Sequence, residues 1–315
     1  METKIENILK KYYLINTLKY KITANDSEAN KIFNSLIMAV GLHSEIYVKE
    51  DLGELLKEIL ITESEDKLGT KLGLDYKKTY NNAARMAIFA GRDFEYINLV
   101  IKSLNKKACR NILDLYYKNT VLKEQTRKGW QHWSVKSNRL ESISEHVYGA
   151  CMLALIMHDS GCFDVDINKV ISMLAIHETE EITIGDRTPF ESNYQDKEIE
   201  GHKAIKEILS NLNNKEELVN LILEFDKKET KEAKFAHLID KLEADLQVIA
   251  YENLGYNHLD NQENNPAFKS SKIQEIIKNG ATSVADVWYQ YDSYHYENDP
   301  IFQKVLNKAI KKNQN

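Results

Sequence analysis

The chain has 315 residues, 43% of them hydrophobic and 29% charged, a balance ordinary for a soluble globular protein and foreign to disordered or membrane-spanning chains. That length suits one large domain or two moderate ones and can bury a sizeable core. A formal net charge of -6 excludes a general nucleic-acid binder, which needs Lys and Arg clustered on a basic face, but leaves room for a small anionic ligand held by one arginine or a metal.

The first residues, Met1-Glu2-Thr3-Lys4-Ile5-Glu6, enter a charged helical pattern with no apolar leader, and no stretch is apolar for long enough to span a bilayer, so a cytoplasmic protein is expected. Apolar residues recur at steps of three and four in Ile5-Ile8-Leu9-Tyr12-Tyr13 and in Leu52-Leu55-Leu56-Ile59-Leu60, as one buried helical face requires. Turns are expected at Thr23-Ala24-Asn25-Asp26 and at Ala90-Gly91-Arg92-Asp93. The first proline is Pro189, so nothing before it interrupts helices strongly. Up to about Thr126 the chain reads as all-helical, with tyrosines at core spacing, a single histidine, His43, that reads as a surface or satisfied core residue, and nothing catalytic. Cys109, Cys151 and Cys162 are dispersed and lack CxxC spacing, which suits buried reduced thiols.

From Arg127 the character changes. Arg127-Lys128-Gly129-Trp130 precedes a polar loop, and then a helix entered through Ser142 or Ser144 carries Glu145 and His146. A second helix starts after Asp164 or Asp166 and brings Val170, Ile171 and Leu174 toward His177-Glu178-Thr179-Glu180-Glu181, with His177 and Glu181 on one helical face. A third, Phe235-Leu238-Ile239-Leu242-Leu246-Ile249, holds Asp240 off its apolar stripe. There is no internal repeat.

Acid-rich stretches are usually solvated helix faces, and a lone histidine is usually structural. Together, however, three acids and an imidazole within little more than one helical turn repel one another unless a cation compensates them. Imidazoles and carboxylates without thiolates suit one divalent ion such as Mn, Co, Fe or Zn, with Mg within reach, and do not choose among them.

These blocks resemble the HD-domain metal-dependent phosphohydrolases, most closely their 5'-deoxynucleotidase branch. The resemblance rests on Arg127-Lys128-Gly129-Trp130, Glu141-Ser142-Ile143-Ser144-Glu145-His146, His177-Glu178-Thr179-Glu180-Glu181 running to Gly185-Asp186, and Asp240 in Ile239-Asp240-Lys241-Leu242-Glu243. It implies an all-α HD-domain bundle at 122–315 and leaves unexplained the additional helical domain read from the pattern at 1–121, whose role is unknown. It further implies His146, His177, Glu178 and Asp240 as metal ligands, Glu181 as acid/base, Asp186 as an orienting group, Arg127 on the phosphate, and Trp130 near the sugar, limiting room for a 2'-hydroxyl. Glu178 departs from the family's Asp by one methylene. A second metal would need more histidines than His202 and His237 supply. The implied activity is release of phosphate from small nucleotides, foremost 5'-(deoxy)nucleoside monophosphates, or from another phosphate monoester, and the implied assembly is a homodimer. The rival expectation is a nucleotide- or metabolite-sensing module in which Glu178 has weakened catalysis and the N-terminal helices bind a partner.

Overall fold

The apolar face expected at the N-terminus forms α1 (Glu2–Tyr20), with Ile5, Ile8, Leu9, Tyr12 and Ile15 all buried. In the computed structural model, which describes residues 1–46, 51–76, 78–79, 81–92, 97, 99–100, 102, 104–188, 194–262 and 264–313, a hairpin of β1 (Ile22–Thr23) and β2 (Asp26–Ser27) follows. Ala24 at φ 48° and Asn25 at φ 63° take the left-handed pair that so tight a turn requires. The expected turn is therefore present, flanked by strands too short for any alternation to announce.

Next come α2 (Glu28–Ile46), α3 (Leu52–Leu68) and α4 (Asn82–Arg92). Here the second expected turn is corrected: Ala90 and Gly91 lie inside α4, and a Cβ on Gly91 would sit 2.5 Å from the Ser35 backbone nitrogen. The glycine lets α4 lie close against α2 and bends nothing. Asp93 and Pro189 fall outside the described residues.

After α5 (Lys106–Glu124) and the short α6 (Lys128–His132), the centre of the molecule is built from α7 (Ile143–Asp159), α8 (Ile167–Ile176) and α12 (Lys231–Asn253), which pack on one another. Residues Ile143 to Met157 of α7 are all buried. A helix apolar all round can only be a core helix in a chain of this kind. Asp166 caps α8 by accepting from the backbone of Asn168 and Lys169. Between α8 and α12 lie α9 (Glu181–Ile184), α10 (Tyr194–Ile208) and α11 (Lys215–Lys227), and α13 (Ser271–Lys278), α14 (Val284–Asp292) and α15 (Pro300–Asn313) close the chain.

The early helices lie directly against this centre: α1 and α2 on α7, and α3 on α8, where a Cβ on Gly53 would come 2.1 Å from the Asn168 carbonyl oxygen. One continuous apolar cluster runs from Ile5 to Ile310. Fully burying each Leu or Ile in it contributes about 1.5–3 kcal/mol. Cys151 is buried as expected, and burial raises its thiol pKa, but Cys109 and Cys162 are only half-buried; none is in a disulfide. Among the described residues no helix is long and apolar enough to cross a membrane.

Candidate functional site

Two of the four expected ligands are placed by helix ends. Ser142 caps α7: its hydroxyl accepts from the Glu145 backbone N–H at 3.3 Å, and the Glu145 side chain accepts from the Ser142 N–H at 2.8 Å. That reciprocal cap sets the first turn of α7, where His146 points inward with no exposure. His177 is the residue on which α8 ends.

Both imidazoles are held from behind. His146 Nδ1 lies 2.6 Å from Glu243 Oε2, and His177 Nδ1 lies 2.7 Å from the Leu174 carbonyl oxygen. Each acceptor can receive a hydrogen bond from Nδ1–H, and Nε2 is then the nitrogen turned toward the cluster. His146 Nε2 is 2.9 Å from Asp240 Oδ1, and Glu178 Oε1 is 3.6 Å from His146 Nε2 and 3.5 Å from His177 Nε2. One ligand atom from each of His146, His177, Glu178 and Asp240 falls within 4.8 Å of the others.

These residues fit a divalent ion. His177 Nε2 is buried without a hydrogen-bond partner, a state that costs about 1–3 kcal/mol unless something fills it. The charges agree: burial alone would push His177 down, yet the Glu178 and Asp240 carboxylates outweigh it and lift the imidazole to about 9. Burial likewise opposes ionisation of Asp240, but Lys241 and the two imidazoles hold its carboxyl well below the usual range. Lys241 reaches the outer oxygen of Asp240 at 3.3 Å and Arg127 lies 3.5 Å from Glu178, so the two carboxylates are favoured as anions while the His177 nitrogen between them stays without a hydrogen bond.

The expectation that His177 and Glu181 share one helix is corrected. The chain leaves α8 after Ile176, and three-residue bonds from Thr179 N to Ile176 O and from Glu181 N to Glu178 O tighten the connection before α9 begins. Glu181 is nonetheless buried and lines the same cavity, with Oε1 2.9 Å from Lys197 Nζ. Burial, with Glu178 and Asp186 adding to it, raises its carboxyl well above the usual range, and Lys197 opposes them.

Arg127 is half-buried, with Nη1 3.5 Å from Glu178 Oε1. Asp186 accepts from the Lys128 backbone N–H at 2.7 Å, at the start of α6, and so fixes the segment that carries Arg127. Trp130 is 1% exposed: its indole N–H donates to Glu141 at 2.8 Å, and its ring stacks on Trp288 at 5.4 Å. The cavity in front of these groups has a volume of about 470 Å³, within the usual range for a small-ligand site.

Some residues of the site carry no motif. Trp288 and Tyr291 of α14, and His295 just after it, also line the cavity. Lys197 arrives on α10. Glu243 received no role from the sequence, although it stands three residues after Asp240 and hence on the same face of α12. His202 pairs with Asp226 at 2.8 Å rather than joining the four-ligand cluster.

A family profile described as HD domain matches residues 120–282. The 5'-deoxynucleotidase hdd1 of Schizosaccharomyces pombe is 33% identical over 140 residues, covering 42% of this chain and 67% of that one. The 5'-deoxynucleotidase HDDC2 of Xenopus laevis is 30% identical over 136 residues, covering 42% of this chain and 65% of the relative. The matches thus span about two thirds of those relatives' lengths. A solved protein of Pyrococcus horikoshii aligns at 20% identity over 64% of this chain and 96% of its own, with a TM-score of 0.47. HD domains bind divalent cations, and the cluster described above is the candidate place for one.

Proposed function

Because the chain belongs to the HD-domain family, near its 5'-deoxynucleotidase branch, we propose that it is a phosphoric monoester hydrolase removing phosphate from small nucleotides, foremost 5'-(deoxy)nucleoside monophosphates. The observation that carries this reading is the convergence of four ligand atoms around an unpartnered, buried imidazole nitrogen at the floor of a cavity shared with Arg127 and Glu181. His146, His177, Glu178 and Asp240 would hold one divalent ion, drawn from Mn, Co, Fe, Zn and Mg without a preference among them. When bound, it supplies positive charge that polarises the phosphoryl group and eases deprotonation of water.

The chain's own residues do the rest. Arg127 pairs with phosphoryl oxygens and stabilises the charge that builds on them. Asp186 keeps it aimed by holding the start of α6. Glu181, raised in pKa and steadied by Lys197, takes the proton from the attacking water. Trp130, backed by Trp288, bounds the sugar end, and Tyr291 lines the same cavity.

The regulatory alternative receives less support, since the relatives carry enzyme names. A cytoplasmic location, a homodimer, and the division into 1–121 and 122–315 belong to the same proposal. Phosphate release from a panel of deoxynucleoside and ribonucleoside monophosphates with added Mn or Co, compared with His177→Ala, tests it. Nucleotide binding without turnover in every metal would favour the sensor.

A further inference from the structure

Behind the ligand cluster lies a second group of the same chemistry: Glu141, His146 and Glu243 also bring ligand atoms within 4.8 Å of one another. Its cation is already there. The Lys19 ammonium, at the end of α1, is buried between Glu141 and Glu243, donates to both, and reaches Gln247 Oε1 at 3.2 Å. Tyr12, two turns earlier on α1, donates to Glu243 Oε1 at 3.2 Å. Glu243 is the carboxylate that accepts from His146 Nδ1–H. Gly149, one turn past His146, leaves the space: a Cβ there would sit 2.4 Å from Glu243 Oε1 and 2.9 Å from Lys19 Nζ.

We propose that Lys19 is a positioning residue of the metal centre, acting through Glu243 on His146, and that supplying it is a task of the first helix. Lys19 stands outside the segment 120–282 matched by the HD profile, so the early helices complete the centre from behind. α2 assists at the same helix end, where the Ser144 hydroxyl donates to Asn30 Oδ1 at 2.6 Å. Without the ammonium, Glu141 and Glu243 would face each other as buried like charges, and repulsion would drive Glu243 off the imidazole it orients.

This inference rests on the reading of the four residues as ligands, and a metal titration separates the two. Full-length protein, Lys19→Met, and Lys19→Met combined with Glu141→Gln would be titrated with Co(II), following affinity and the visible absorption band, with circular dichroism for the fold. Lys19→Met is expected to bind roughly tenfold to a hundredfold more weakly, with a changed band, as when a partner behind a ligand is lost. The double variant, which removes one of the two facing charges while Gln can still donate to Glu243, is expected to recover most of that loss. Folded Lys19→Met with unchanged affinity and band overturns the inference, as does a double variant as weak as the single. Failure of both to fold would assign Lys19 to stability alone and also overturn it. Absence of binding by the parent would instead sink the ligand reading itself.

Discussion

Two clusters of acids meet at His146, and they are balanced in different ways. On its Nδ1 side, Glu141 and Glu243 hold a lysine from their own chain, and Trp130, Tyr12 and Gln247 complete the hydrogen bonds. On its Nε2 side, Glu178 and Asp240 are met only from outside, by Arg127 and Lys241, and face an imidazole nitrogen of His177 that has no hydrogen-bond partner, beside the cavity. Burial opposes ionisation on both sides; Lys19 still brings Glu243 down to about 2. A closed cluster of this kind stabilises geometry, whereas an open one with an orphaned donor set is built to receive a cation. The difference marks which of two similar groups is a site.

The largest effect should come from emptying the open cluster. Asp240→Ala removes a ligand and the carboxylate facing His146 Nε2, and phosphate release should fall by more than about a thousandfold, since a dication contributes several kcal/mol to the transition state. Metal content, measured by elemental analysis after dialysis, should fall with it. A variant that keeps both would break the assignment of Asp240. Glu181→Gln should behave differently, losing about a hundredfold to ten-thousandfold in rate while retaining its metal, because it moves a proton and holds no ion. Rate and metal loading on the same sample decide the point: a near-normal rate would remove Glu181 from the acid/base role.

Weaker changes test the boundary between the clusters. Gly149→Ala pushes a methyl into the space between Lys19 and Glu243 and should weaken Co(II) binding by about tenfold, although the residue touches no ligand atom of the open cluster. Unaltered binding in calorimetric titration would show that the two sides are uncoupled. Glu178→Asp restores the family's residue and should shift affinity or metal preference by only about threefold to tenfold, because a carboxylate is kept. Titrations with Mn, Co and Mg that coincide for both chains would mean that position 178 holds no metal.

How much of this was legible in the sequence depended on whether a function was carried by a local pattern. Ser142 and Glu145 form a cap readable at a spacing of three, and His146, His177, Glu178 and Asp240 each sit in a short block, so the open cluster could be assembled before any coordinates. Gly91 reads like a turn residue because its packing partner, Ser35, is more than fifty residues away. Lys19 reads like one more charged position in an amphipathic helix: a lysine buried by partners at positions 141 and 243 has no local signature. The tightened link from His177 to Glu181 escaped for the opposite reason, since its spacing suits a continuous helix and only the hydrogen bonds reveal the change. Trp288 and Tyr291 stand too far from the motifs for spacing to connect them.

The same contrast predicts a smaller, pH-dependent effect at a third acid pair, on α12 and α14. Asp245 accepts from Tyr296 at 2.6 Å, and Asp292 lies beside it, with Lys241 and Lys272 as the nearby cations, while burial and the lysines push the neighbouring His295 imidazole down to about 4. Burial pushes Asp292 up to about 6 against the pull of Lys241, and burial together with Asp292 holds Asp245 well above the usual range. A carboxyl raised on folding gives its full stability below the unfolded value near pH 4, and that stability declines as pH rises through the folded value. The parent should therefore weaken between about pH 4 and pH 6 and beyond, where a second charge must be either kept protonated or left uncompensated. Asp245→Asn keeps an acceptor for Tyr296 and removes one of the two charges. Its urea midpoint should match the parent at pH 4 and exceed it at pH 8, by about 1 kcal/mol in stability once solvent screening of the partly exposed Asp292 is allowed for. Parallel profiles would mean that Lys241 compensates this pair as fully as Lys19 does its own, and that the cluster is closed after all.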